Sequence, residues 1–313
     1  MKIKYIASRY GIFLALIILV VFFSLTSQTF LTADNLINIL RQVAIIGICS
    51  AGMTFIIITA GIDISAGSII GVAAVTCTKL MVLGINPVFA TLAALVIGTV
   101  LGLLNGFIIN ELYIPPLITT LGTMTALRGV AYLITKGLPI YGFPKSFTEI
   151  GQGYIWFVPI PVIIMIIILV LTYIVLNKTV FGRYVYGTGG NEEASRLSGV
   201  SIKKIKYAVY AIGGSLAALG GIILASRVNS GQPKAGDGYE LDIITAVILG
   251  GVSIVGGEGS IVGVTVGVLI MGVLANGMIL LNVDDYYQRI VKGLVLLAAV
   301  AIDQMSKRRG AKA

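Results

Sequence analysis

Apolar runs separated by short polar breaks fill most of the chain. Residues 13–25, 89–109 and 159–176 approach or match the roughly 20 apolar residues that a helix needs to cross a bilayer core. Extending this pattern predicts about ten spans, at 11–27, 36–60, 64–83, 88–110, 115–135, 157–177, 207–226, 240–256, 260–280 and 288–304. In lipid the backbone must satisfy its own hydrogen bonds, and the Gly, Ala and Leu content fits continuous helices better than the alternation of an outer-membrane barrel. One stretch interrupts the pattern. Residues 181–207, FGRYVYGTGGNEEASRLSGVSIKKIKY, are polar and basic between two apolar runs. A chain adapted to lipid has reason to carry such a surface only where water or another protein meets it.

Composition supports this class. The 313 residues are 57% hydrophobic and 11% charged, against roughly 25% charged in ordinary soluble domains. The formal charge of +9 does not point to nucleic acid, because no basic patch interleaves with exposed aromatics. It sorts instead by loop. Lys2, Lys4, Arg9, Lys178, Arg183, Arg196, Lys203, Lys204, Lys206, Lys307, Arg308, Arg309 and Lys312 fall on one side of the drawn topology, and Lys136, Lys145, Arg227 and Lys234 on the other. The excess places both termini and the 178–206 loop in the cytoplasm, with an even number of spans. The basic N-terminal flank and following apolar stretch lack a clear small-x-small cleavage site and read as an uncleaved first helix. Cys49 and Cys77 sit in apolar helical context as unpaired small hydrophobes. Without histidine, the chain lacks the commonest metal ligand and general base. No nucleophile–base or metal cluster appears, so neither a catalytic site nor a metal site is expected.

Several spans are irregular. Gly61, Gly67 and Gly71 punctuate the second and third, and Gly250, Gly251, Gly256, Gly257, Gly259, Gly263 and Gly267 crowd the eighth and ninth. Glycine allows close helix approach, and broken spans in corresponding halves can mark a translocation path. LGLLNGFI at 101–108 and MGVLANGMI at 271–279 echo each other faintly, as two related halves would. Asp63, after the second run, must be at an interface, paired, or facing a wet cavity. It and Ser65 could instead cap the third helix. Asn105, Asn110 and Asn276 suit either bonds across helices or a channel lining. Thr119, Thr120, Thr123 and Thr125 could wet a pore or bond back to their own helix. The candidate path or gating residues are therefore Asp63, Ser65, Asn105, Thr119, Thr123 and Asn276. Glu240 and Asp242 suit the positive end of the next helix, while the loop 227–241 suits an external partner or plain solvation.

The 178–206 loop is better organised. Asn191 can cap a short helix opening with Glu192 and Glu193, and Gly199 supplies its stop. Val200 and Ile205 can anchor the returning chain, with Lys203, Lys204 and Lys206 outside the hydrocarbon. No GxxxxGKS/T phosphate loop occurs, and GGEGS at 256–260 is too short and lacks the lysine. Transport energised by ATP would need another chain to hydrolyse it.

GIDISAGS at 61–68, PPLITTLGT at 115–123 and FGRYVYGTGGNEEASRLSGVSIKKIK at 181–206 together resemble bacterial ABC importer permeases of the branched-chain/monosaccharide class. The segments 230–263 and 286–303 resemble most closely its ribose branch. The resemblance spans about residues 12–304. It implies an all-α polytopic membrane protein of type II importer architecture, with about ten transmembrane helices in two related halves. It also implies one permease domain over 1–313, with 178–206 as its cytoplasmic coupling loop. The implied function is import of ribose or a related monosaccharide across the bacterial cytoplasmic membrane. The implied partners are a second permease subunit, as a homodimer, two cytoplasmic ATPase domains that bind ATP and Mg, an extracytoplasmic sugar-binding protein and membrane lipid. The chain itself would be no enzyme and hold no cofactor. Gly190, Asn191, Glu192, Glu193, Ala194, Arg196, Leu197, Ser198 and Gly199 would form the segment seated in the ATPase. Two features depart from the pattern. Ile64 and Ala66 are conservative changes in the GIDLSVG-like motif, and Glu258 stands where a basic residue is more usual. A permease for autoinducer-2 or another sugar is one alternative. An ion-driven secondary transporter is another, but it gives no reason for the 181–207 pattern.

Overall fold

The computed structural model describes the backbone of residues 2–310 and the side chains of 11–305. The side chains of Lys2, Lys4, Arg9, Lys307, Arg308 and Arg309, and all of Lys312, therefore lie outside the described residues. The order is α1 (Lys2–Thr26), α2 (Ala33–Ile58), α3 (Ala66–Val82), α4 (Pro87–Glu111), α5 (Pro116–Thr135), α6 (Lys145–Gln152), β1 (Tyr154–Ile155), β2 (Val158–Pro159), α7 (Ile160–Lys178), α8 (Val180–Gly190), α9 (Glu192–Leu197), α10 (Ile202–Val228), α11 (Tyr239–Leu249), α12 (Ile261–Leu280) and α13 (Asp285–Gly310). A helix occupies each predicted span. Among the described residues, α2, α4, α5, α7, α10 and α12 are long and apolar enough to cross a membrane, while α3 and the described apolar part of α1 are shorter.

Three boundaries differ from expectation for local physical reasons. The span drawn at 240–256 stops at Leu249, where Gly250 begins a loop with Gly251, Gly256 and Gly257 at positive φ. The span drawn from 157 begins inside a two-stranded hairpin, so the fold is nearly rather than wholly helical; Tyr154 pairs with Pro159 and Ile155 with Val158. Pro161 then sits in the first turn of α7, where a missing amide hydrogen costs little. α10 starts earlier than drawn, at Ile202, because Ile202 and Ile205 are buried.

α10 is the central element and packs against α2, α3 and α4. Close approach makes this possible. A Cβ on Gly98 would collide with the Gly214 carbonyl and Ala218, and one on Gly102 would collide with the Tyr210 carbonyl. Helices in lipid gain little from the hydrophobic effect, so backbone contact between small residues supplies van der Waals packing instead. Cys49 and Cys77 are free and buried in this core.

Contacts sort the helix ends. The C-terminal ends of α2 and α4 gather with α8, α9 and the start of α10: Gly257 donates to Ile58 O at 2.8 Å, and Lys203 pairs with Glu111 at 2.7 Å. At the opposite end, the start of α2 meets the end of α12, where Asn35 and Asn276 exchange amide hydrogen bonds at 3.0 and 2.9 Å. From the end of α10 on that side, residues 229–238 turn back along α3, with Gly231 against Thr78, Ala235 against Gly71 and Gly236 against Gly67, and Arg128 of α5 donates to the carbonyls of Pro233 and Ala235 part-way along. The loop 229–238 is therefore a strap packed along α3 and tied to α5, rather than the solvated connection or partner surface that its polar, turn-rich sequence suggests.

Candidate functional site

Two polar assemblies stand out. The first is exposed. Thr179 caps α8 through a 3.2 Å bond from Gly182 N, and Asn191 caps α9 through a 2.8 Å bond from Ala194 N. Glu193 and Arg196 face each other one turn apart and form two bonds, Nε to Oε2 at 2.9 Å and Nη2 to Oε1 at 2.6 Å. Hydrogen bonds from Arg196 hold the Glu193 carboxyl below its ordinary range, and the guanidinium is raised in turn. Ser198 Oγ donates to Ala194 O, and Val200 N to Ser195 O, while Gly199 takes φ +84° to turn the chain. Lys206 of α10 reaches back to Glu192 at 2.8 Å. No residue of α9 is buried, and Leu197 is 75% exposed. The short helix, its cap and its glycine stop thus stand as expected.

The segment is tied to the body at points the sequence did not signal. Tyr186 of α8 donates its hydroxyl to Gly259 O at 2.9 Å. A Cβ on Gly189 would collide with the Ile58 carbonyl and press on Gly257 N. One junction therefore joins α8, the end of α2 and the glycine loop between α11 and α12. The glycines at 256–259 were visible as a helix break, but nothing local told which element they would meet. Glu258 is exposed beside this junction, and among the described residues its side chain forms no ion pair.

The second assembly is buried. Asp63 is 1% exposed and lies between α2 and α3. Its Oδ1 accepts from Ser65 N at 2.9 Å and from Ser65 Oγ at 2.6 Å. Asn105 of α4 donates to Ser65 Oγ at 2.9 Å. Thr120 of α5 and Tyr210 of α10 both send hydroxyls to Ile62 O, at 3.4 and 3.5 Å. Asp63 thus organises the turn ahead of α3, whereas Ser65, at the cap position, makes no side-chain cap bond. The node binds α4, α5 and α10 to the α2–α3 break.

The remaining candidates lie apart. Asn276 is paired with Asn35 at the opposite end. Thr119 Oγ1 donates to Ile114 O and Thr123 Oγ1 to Thr120 O, both bonds within their own segment. Asn110 Nδ2 donates to Lys203 O on α10. A groove of about 420 Å³ between α2, α4, α7 and α10 is lined by Phe55, Thr99, Thr172, Ser215 and apolar neighbours, and by none of the candidate path residues. At the start of α11, Glu240 accepts from Gly238 N, and Asp242 pairs with Lys292 of α13 at 2.7 Å. Among the described residues no cluster of three or more Cys, Asp or Glu side chains could hold a metal.

Residues 35–300 match the model of a family described as the branched-chain amino acid transport system permease component. The ribose import permease protein of Bacillus subtilis (strain 168) is 45% identical over 301 residues, covering 96% of this chain and 94% of that protein. The ribose import permease protein of Haemophilus influenzae is 43% identical over 296 residues, covering 93% and 91%. The L-arabinose transport system permease protein of Escherichia coli (strain K12) is 38% identical over 300 residues, covering 96% and 92%. No solved structure matches the chain.

Proposed function

We propose that this chain, which belongs to the branched-chain amino acid transport system permease family, is the membrane subunit of an ATP-driven, binding-protein-dependent importer of ribose or a closely related monosaccharide. The carrying observation is the exposed, self-capped helix α9 on a chain otherwise built for lipid. Relatives named as ribose permeases over nearly the same length direct the substrate assignment to ribose.

In this reading α1, α2, α3, α4, α5, α7, α10, α12 and α13 cross the membrane, and the 11-residue α11, too short to span alone, completes a tenth, broken span with the strap 229–238, in type II importer architecture of two related halves. Both termini and the α8–α9 segment face the cytoplasm, as the loop charges favour. Two copies enclose the path, and residues 190–199 sit in a groove of each ATPase partner, which binds ATP and Mg. An extracytoplasmic protein selects the sugar. The permease itself performs no bond chemistry. ATP binding and hydrolysis bias inward- and outward-facing states, and the contacts of α9 must differ between those states for that bias to be transmitted. The Gly189–Ile58–Gly257 junction carries displacement of α9 into α2 and the loop ahead of α12. Asp63, Ser65 and Asn105 serve as a gating node that keeps the α2–α3 break in register with α4 and α10.

Reconstituted uptake with the cognate binding protein, offered ribose, xylose, galactose and autoinducer-2, tests the assignment. Ribose should accumulate fastest, and only with both ATP and binding protein present. Preference for autoinducer-2 would reassign the substrate, and sustained uptake on an ion gradient alone would overturn the importer class.

A further inference from the structure

A hairpin at the end of the molecule opposite α9 has a rigid base and a bare apolar tip. Its base is fastened on three sides. Ile160 N donates to Gly153 O at 3.0 Å. Gly151 N donates to Ser226 Oγ at 2.7 Å, and the same hydroxyl donates to Phe147 O at 2.7 Å. The Arg41 guanidinium of α2 lies 4.5 Å over the Tyr154 ring. The two-residue tip, Trp156 and Phe157, has no such partners among the described residues, and Trp156 is 92% exposed.

Trp156 also has φ +59°. A two-residue hairpin with only its first tip residue at positive φ ordinarily carries glycine there. A bulky aromatic in that conformation is strained, and such strain persists where the side chain is wanted. The surroundings indicate what wants it. No Asp, Glu, Lys or Arg occurs between Glu149 and Lys178. The hairpin runs directly into α7, whose outer face exposes Ile166, Ile167, Val170 and Leu171. By contrast, the strap that runs from the same end back along α3 carries the exposed Lys234 and Asp237, as a surface meeting water or a soluble protein would.

We propose that the hairpin tip, Trp156 and Phe157, is an anchor that inserts into the headgroup–acyl boundary of the outer leaflet, and that its partner is phospholipid. Tryptophan is favoured at that depth because its ring is apolar while its indole N–H keeps a polar contact. The anchor fixes the outer ends of α7, α6 and α10 against the bilayer, which leaves the α8–α9 end as the mobile one. This rests on the membrane-spanning reading of α7.

Trp156 is the single tryptophan of the chain, so its intrinsic fluorescence reports the tip without mutation. The full-length protein would be placed in nanodiscs, which expose both membrane faces, with Trp156→Phe as the blank. Emission should be blue-shifted from that of tryptophan in water. It should lose most of its intensity when the phospholipid is brominated near the ester end of its acyl chains, and respond little to iodide. Strong iodide quenching with no bromolipid effect would overturn the anchor, and protection from iodide on adding the binding protein would then identify a protein-docking tip. Shielding from both quenchers would overturn it in favour of contact with a second copy. A chain that fails to enter the nanodisc would overturn the membrane reading itself, whereas the first two failures leave that reading intact.

Discussion

The α9 segment and the Asp63 node are both polar insertions in an apolar chain, yet they are built on opposite plans. Apart from the exposed Glu192–Lys206 pair, 14 positions apart, every bond that shapes α9 joins residues at most five apart, and its side chains face out. The node draws on residues from 62 to 210 and excludes solvent. A locally closed element can move as a unit without unfolding its neighbours. A node assembled from distant helices loses a tie between elements with each member, and the free-energy cost is large where a buried polar group is left with fewer partners. The two plans suit a moving contact and a fixed register.

Lesions should separate them, and the largest effect belongs to the frame beneath both. Gly98→Leu forces a side chain into the Gly214 carbonyl and Ala218, and neither backbone can withdraw far. A loss of about 3 kcal/mol is expected, read as a marked fall in melting temperature and in yield from the membrane. Asn105→Leu removes the donor to Ser65 Oγ, which keeps its bond to Asp63, together with a buried Oδ1 that has no partner among the described residues, so a cost of about 1 kcal/mol is expected. Stability should fall in detergent while association with the ATPase partner, in the fraction that folds, stays normal. A stable Asn105→Leu protein would show that the node is dispensable.

Asn191→Ala reverses that pattern. Loss of the cap costs α9 about 1 kcal/mol, so global melting should barely move while stimulated ATPase activity falls. Equal losses in both would erase the distinction between the two regions. The smallest effect is that of pH. The Glu193 carboxyl is lowered by Arg196, so the pair's contribution is present above the ordinary carboxylate range and is lost as pH falls through the depressed value. Because both groups are solvent-exposed, coupling should be flat near neutrality and weaken only in acid, with the decline absent in Glu193→Gln.

What sequence could disclose follows the same division. The cap, acids and glycine stop of α9 were readable because each acts within a few residues. The asparagines were recognisable as bonding groups, but Asn276 finds Asn35 across 241 positions, and no local pattern names that partner. The hairpin was hidden because Tyr154, Ile155, Trp156 and Phe157 continue the apolar run of α7. The shortening of α11 needed backbone geometry at Gly250 and Gly251, since hydrophobicity persists beyond them through Val252 and Ile254. The Tyr186–Gly259 bond and the Gly189–Ile58 contact depend on tertiary placement alone.

The central claim, that α9 is the surface through which an ATP-hydrolysing partner drives transport, is most directly tested by co-purification. The ATPase subunit would be captured with wild-type permease and with Glu193→Arg after matched expression, alongside stimulated ATPase activity. The substitution replaces the Glu193–Arg196 pair with two like charges on an exposed surface. Membrane insertion should persist while complex yield and stimulated activity both drop; unchanged yield with unchanged activity would contradict the account.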